Sequence, residues 1–152
     1  MYKVLLIAFA LSACNFNRAD PKIVAQQREA KRREAVVKIL TARLEASEEI
    51  QGEGIGISGT PSATYESFKL LDGLLSDTAW LQLTYSKSPV MRVYAYQALQ
   101  KRNKAMTEEV KVRLSHDDAS FTMTGGCTSM PNTVRGYVTG TLDSSLFIMV
   151  RQ

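Results

Sequence analysis

The sequence predicts an α+β chain, mainly an antiparallel array of short α-helices with a small C-terminal antiparallel β segment. Two observations carry this. Between residues 63 and 118, apolar residues recur at three- and four-residue spacing in segments joined by very short loops; such loops force consecutive helices to pack as antiparallel neighbours. After Asp118 the pattern changes to short alternating or β-branched runs punctuated by Gly and Pro, the signature of strands. A chain of 152 residues is one domain by length and long enough to bury a modest core.

At the N-terminus, Lys3 precedes the unbroken apolar run Val4 to Ala10, and Leu11-Ser12-Ala13 then leads to Cys14. A charged start, an apolar middle and a small-residue site form the layout of an export signal. The run falls short of the roughly 20 apolar residues that span a bilayer. Leu11-Ser12-Ala13-Cys14 resembles the lipobox of bacterial lipoproteins. The resemblance implies that residues 1–13 are a signal peptide, that Cys14 becomes the new N-terminus, and that its thiol receives a diacylglycerol and its amine usually a further acyl chain. Each buried CH₂ contributes about 0.8 kcal/mol, and two or three chains hold where one binds marginally. In enterobacterial lipoproteins an Asp after the cysteine retains the protein at the inner membrane. Asn15 stands there in this chain, which favours an outer-membrane anchor facing the periplasm. Residues 14–21 then read as a lipidated tether, with Pro21 where a helix can begin.

Residues 22–50 are rich in Ala, Glu, Lys, Arg and Gln and contain no Gly or Pro, which predicts one long charged helix. Val36, Val37, Leu40 and Leu44 form an apolar stripe in its second half, whereas AQQREAKRRE, residues 25–34, is polar. Residues 51–62, QGEGIGISGTPS, read as a Gly-rich linker. Gly54, Gly56 and Gly59 match GxGxxG by letter, but the dinucleotide fingerprint needs a strand before it and a helix opening inside it. A charged helical pattern precedes these glycines and Pro61 follows them.

The helical core is expected over residues 63–118. Thr60-Pro61 or Ser62 caps a helix from about Ala63 to Leu75, with Phe68, Leu71 and Leu75 on one face. Ser76-Asp77 starts a second helix around Trp80 and Leu83. Ser88-Pro89 starts a third, with a capping hydroxyl and a proline where no N–H is needed; it is apolar on more than one face and therefore central. Thr107 caps the last helix, with Met106, Val110 and Leu114 stacked along it. Within residues 76–102, the spacing of Val90, Arg92, Ala95, Ala98 and Leu99 after a short helix and a Ser-Pro turn is similar to HEAT-like repeats. In those repeats small residues let paired helices approach and the arginine ties to a neighbouring turn. The resemblance implies a binding scaffold rather than an enzyme.

Residues 119–152 are expected to form a β-rich tail packed on that core, with strands at SFTMT, TVRGYVTG and LFIMV. If Cys14 carries lipid, Cys127 has no partner within the chain; in Gly125-Gly126-Cys127 it reads as a small buried residue, with an intermolecular disulfide or a reactive thiol as the alternatives. His116, the single histidine, sits in Ser-His-Asp-Asp.

No catalytic residues are assigned, and no cofactor or metal is expected, because one histidine beside two adjacent carboxylates makes no ligand spacing. A formal charge of +4 is too mild to argue for nucleic acid. Trp80, Tyr85, Tyr94 and Tyr96 are candidate partner-binding aromatics, since a tyrosine offers apolar area and a hydroxyl together. Arg28, Lys31, Arg32 and Arg33 are candidate membrane contacts, each adding about 1 kcal/mol near an anionic surface; i,i+4 pairing with Glu29 and Glu34 on a solvated face is the competing account. The reading is a lipid-anchored bacterial envelope protein that binds a protein or peptide without chemistry of its own. The alternatives are a small hydrolase or thiol-dependent enzyme using Cys127 and His116, and a structural component that touches membrane or cell-wall polymer through the basic helix.

Overall fold

A computed structural model describes residues 20–141. The expected signal peptide, the expected lipidation site Cys14, most of the expected tether and the expected LFIMV strand lie outside the described residues. The fold is α+β: six helices and a mixed four-stranded sheet among the described residues.

Helix α1 (Pro21–Glu45) opens on Pro21, with the Asp20 carboxylate accepting the Lys22 N–H at 2.9 Å. The chain divides into two units after Arg33. Before that point every residue of α1 is exposed except Val24, which is half-buried. After it, Leu40 and Leu44 are buried. The helix stops at Glu45 rather than running to residue 50. Glu45, Glu48 and Glu49 crowd its C-terminal end, where negative charge opposes the helix dipole. The Ser47 hydroxyl then takes over, donating to the Glu49 carbonyl at 2.8 Å and accepting the Glu49 N–H at 3.2 Å.

Strand β1 (Glu49–Ile55) and the two-residue β2 (Thr60–Pro61) occupy the segment expected to be a linker. Its glycines serve a tight hairpin. Gly56 and Gly59 have φ of +74° and +61°, which side chains rarely adopt. The dinucleotide motif fails here for a sharper reason than its neighbours in sequence: the glycines turn one strand back into another.

The next three helices begin where the hydroxyl caps predict. Helix α2 (Ala63–Leu74) is capped by Ser62, α3 (Asp77–Leu83) by Ser76, and α4 (Pro89–Arg102) by Ser88 with Pro89 in its first turn. Helix α5 (Lys104–Leu114) starts earlier than expected, with its cap four residues before Thr107. Asn103 caps it by accepting the Met106 N–H at 3.2 Å, and Thr107 lies inside the helix with its hydroxyl donating back to the Asn103 carbonyl at 2.8 Å.

Strand β3 (Ser120–Gly126) forms where SFTMT predicts one, but its antiparallel hairpin partner β4 (Thr128–Thr133) lies ahead of the expected TVRGYVTG strand, in a stretch around Pro131 where no strand was expected. The next expected strand is helix α6 (Val134–Thr139). The Thr133 hydroxyl accepts the Gly136 N–H at 3.0 Å, and this cap outweighs the β propensity of the flanking residues. The position also demands glycine: a Cβ on Gly136 would lie 2.5 Å from Asn132 Oδ1 and 2.6 Å from the Thr141 carbonyl oxygen.

The sheet runs β2-β1-β3-β4, with β1 parallel to β3 and the other pairs antiparallel. It is therefore not a C-terminal antiparallel sheet, because half its strands come from the segment before α2. A parallel pair needs a long crossover, and α2 to α5 supply it. The core lies between these helices and one sheet face. Phe68 stacks on Tyr94 with ring centroids 4.8 Å apart and meets Trp80 at 5.9 Å. Helix α4 buries eight residues, including Val90, Ala95, Ala98 and Leu99, and is the central helix that its apolar faces predict.

Candidate binding groove

The register of the sheet lines up three long apolar side chains. Ile50 of β1 pairs with Met123 of β3, which pairs with Met130 of β4, so the three share one face. Alternation brings Phe121 and Asn132 to the same face on one side of this row, and Gly125 and Thr128 on the other. Neither Gly52 nor Gly125 carries a side chain, so this end of the face is open. A Cβ on Gly125 would meet nothing within 4 Å. Tyr65 from α2 and Gln97 from α4 form the walls. Together they enclose a cavity of about 280 Å³ lined by Ile50, Gln51, Gly52, Tyr65, Gln97, Met123, Thr124, Gly125, Thr128 and Met130.

A buried tyrosine, Tyr94, and a half-buried one, Tyr137, hold the frame. The Tyr94 hydroxyl accepts the Gln51 N–H at 3.1 Å and donates to the Gln51 carbonyl at 3.4 Å. One phenol thus satisfies both backbone groups of a β1 residue in the stretch that β2 does not reach. Burial raises the Tyr94 pKa to about 12, against the lowering effect of the Gln51 backbone bond. Tyr137 of α6 accepts from the Gln97 amide, fixing the Gln97 wall. Burial raises its pKa too, more than the Gln97 bond lowers it. The opposite sheet face is polar: Thr124 Oγ1 donates to Glu49 Oε2 at 3.0 Å and lies 2.9 Å from Ser129 Oγ.

The cavity sits just below the usual range of small-molecule sites, roughly 300–1,000 Å³. It is sized for one or two apolar side chains. Methionines suit a floor that must adapt to its guest, because the thioether is flexible and polarizable. Strand β4 is an edge of the sheet, so an extended segment laid beside it would present alternate side chains to the groove face.

The aromatics expected to bind a partner lie elsewhere. Trp80 and Tyr94 are fully buried and Tyr96 is 4% exposed. They are core residues, and their rings are closed to a partner because central α4 is covered on nearly every side. Tyr85 is 62% exposed, but the Arg113 guanidinium lies 3.8 Å from its ring centroid. Arg28, Lys31, Arg32 and Arg33 are exposed on the first stretch of α1.

The residues of the enzymatic alternative are not brought together. Cys127, expected to be a small buried residue, is instead exposed, because it sits at the β3–β4 hairpin tip. His116 follows α5, with Nδ1 3.2 Å from both the Val112 carbonyl and the Ser115 hydroxyl. Asp117 accepts the Arg135 N–H at 2.8 Å, past the Ser120 end of the hairpin. Strand β3 therefore separates histidine from cysteine by about 20 Å at ~3.3 Å per residue. Among the described residues no group of three or more His, Cys, Asp or Glu is placed to hold a metal, and no helix is long and apolar enough to cross a membrane.

Sequence reasoning did not single out the groove residues. The alternation in SFTMT does place Phe121 and Met123 on one face. Nothing local indicates that Ile50 joins them, because that contact depends on a parallel pairing across about 70 residues of chain. Family models, curated proteins and solved structures offer no match to this chain.

Proposed function

We propose that this chain is a lipid-anchored protein of the bacterial envelope, held through Cys14 at the outer membrane and facing the periplasm, whose body binds an extended peptide segment of a partner protein. The groove over Ile50, Met123 and Met130 carries the reading. It is apolar at its floor, bounded by Tyr65 and Gln97, sized for side chains, and lies beside a sheet edge. Pro131 withholds one N–H from that edge, so affinity rests on the guest side chain more than on added strand pairing. The role is one of binding without catalysis. A HEAT-like core is part of the proposal, supported by the α3–α4 pair, the buried Ala95 and Ala98, and Arg92 donating to the carbonyls of Ser86 and Lys87 at 2.8 and 3.0 Å.

The test is a photo-crosslinking amino acid at Thr128 in the anchored protein, irradiated in intact cells. A discrete adduct that disappears with Gly125→Leu is the expected result, since the leucine fills the open end of the groove without a positive-φ penalty. An adduct unaffected by that substitution, or none at all, contradicts the reading. The exposed Arg28, Lys31, Arg32 and Arg33 support a second, compatible contact with anionic headgroups near the anchor.

A further inference from the structure

We infer that the guest of this groove is an acidic peptide: an extended segment with an aspartate or glutamate two residues from its apolar anchor, the carboxylate lying between Lys69 and Lys101. The inference rests on the groove being a peptide site and adds the charge and spacing of what it binds. Helices α2 and α4 run side by side in the same direction. The Lys101 ammonium lies 5.5 Å from the Phe68 ring centroid, and a turn further on Arg102 pairs with Asp72 at 3.1 Å. The two groove walls, Tyr65 on α2 and Gln97 on α4, are each followed four residues later by a lysine, which puts that lysine on the same helix face. Lys69 Nζ stands 5.7 Å from the Tyr65 ring centroid. Two ammonium groups therefore flank the seam between the helices just beyond the walls, and the Arg102–Asp72 pair closes it.

This charge is one-sided and open to a guest. No residue lining the cavity is charged, and residues 54–64 and 119–134, which include both hairpin tips, contain no charged side chain. Among the described residues no carboxylate lies within ion-pair distance of Lys101. Lys69 has Glu53 at 3.8 Å, but the two side chains are 60% and 80% exposed, and a pair so open to water is worth little and is readily exchanged. Glu49 is engaged elsewhere, accepting from Thr124 and Gln51 at 3.0 and 3.3 Å. The spacing follows from geometry. In an extended chain residues two apart share a face and lie about 7 Å apart, while a helix rises about 6 Å over four residues. An anchor seated between Tyr65 and Gln97 thus brings the side chain two residues away to the level of the lysines. A terminal carboxylate would sit beside its own anchor, short of that level.

The experiment measures binding of four short fluorescent peptides to the full chain. Three are amidated at the C-terminus and share one neutral sequence around a central phenylalanine, with Asp, Asn or Lys two residues to either side of it. The fourth is neutral and ends in phenylalanine with a free carboxylate. The Asp peptide is expected to bind about five-fold more tightly than the Asn peptide, and to lead the Lys peptide by more, with the preference fading as salt is raised. Lys69→Gln with Lys101→Gln is expected to bring the Asp and Asn affinities together, and Gly125→Leu to abolish binding of both. Equal affinity for the Asp, Asn and Lys peptides overturns the inference and leaves the peptide-site reading standing. An Asp preference that survives the double lysine substitution overturns it as well, because the charge is then read elsewhere. Binding of the fourth peptide alone puts the carboxylate at a chain end and overturns the inference too. If no peptide binds, or binding survives Gly125→Leu, the inference and the peptide-site reading fail together.

Discussion

The Arg92 guanidinium meets the Asp117 carboxylate twice, Nε to Oδ2 at 2.7 Å and Nη2 to Oδ1 at 3.1 Å. The remaining Nη1 donates to the carbonyls of Ser86 and Lys87. One side chain from α4 therefore closes the turn before its own helix and fastens the segment that leads from α5 into β3. Asp117 also accepts the Ala119 N–H at 3.1 Å, so the pair sits where the helical part hands over to the sheet. Its side chains are 12% and 21% exposed, and charge pairs so shielded are costly to break from one side. Arg92→Ala is expected to destabilise the fold by about 2–4 kcal/mol in urea denaturation. Arg92→Lys should recover only part, because an ammonium lacks the planar fork. A loss no larger than that of an exposed surface arginine would remove this role.

Arginine closes two other corners as well. Arg102 donates to the Leu75 carbonyl at 2.9 Å and pairs with Asp72 at 3.1 Å, across the α2–α3 junction. Arg113 donates to the Thr84 carbonyl at 3.0 Å, after α3. The Arg102 side chain is 29% exposed against 12% for Arg92, and Arg102→Ala is expected to cost less than Arg92→Ala, on the order of 1 kcal/mol. Parallel denaturation of the two variants checks the ranking.

Tyr94 makes stability depend on high pH. Its pKa is raised from 10.0 to about 12, so the folded chain holds the phenolic proton where the unfolded chain has lost it. The associated stability is complete below pH 10 and declines from there through pH 12, by on the order of 2–3 kcal/mol. Tyr137, also raised by burial, acts in the same direction. Tyr94→Phe should flatten this alkaline decline while lowering stability at neutral pH by about 1–3 kcal/mol, because Gln51 loses its partner. Urea midpoints from pH 7 to 12 measure both effects. An unchanged alkaline slope in the variant would show that the proton is not held at Tyr94.

Gly136→Ala is expected to destabilise by about 1–3 kcal/mol, because the added Cβ meets the Thr141 backbone oxygen. Gly73→Ala, with nothing within 4 Å of its Cβ and a helical position in α2, should be neutral or stabilising by up to about 1 kcal/mol. Thermal melts of the two variants should move in opposite directions or differ clearly in size.

The anchor has its own test. Cys14→Ser is expected to abolish incorporation of labelled fatty acid and to leave unprocessed precursor. Normal processing of that variant would contradict the lipoprotein reading and leave the groove reading untouched.

The helices from 63 to 102 were legible because each begins with a local signal, a hydroxyl cap at Ser62, Ser76 and Ser88 with Pro89 beside the last, whereas the start of α5 was misplaced because Asn103, not the Thr107 hydroxyl, caps it. Strand β1 was hidden because glycine-rich sequence carries little β propensity. Ile50 and Gln51 become a strand by pairing with β3 and with the Tyr94 hydroxyl, both remote in sequence. Helix α6 was misread for the converse reason, since Val134, Tyr137 and Val138 favour strands locally while the Thr133 cap and the packing of Gly136 decide otherwise. The aromatics carry a related lesson. Clustering of Trp80, Tyr94 and Tyr96 marks the core, and the groove is built of methionine and glycine, which announce nothing at the level of sequence.

The most direct measurement of the central claim follows the methionine methyl resonances of the full chain as a short peptide centred on phenylalanine is added. Met123 and Met130 on the groove floor should shift under the aromatic ring, while Met91, fully buried in α4, and Met106 in α5 stay in place; with Gly125→Leu none should move. Unchanged Met123 and Met130 signals at saturating peptide would contradict a peptide-binding groove.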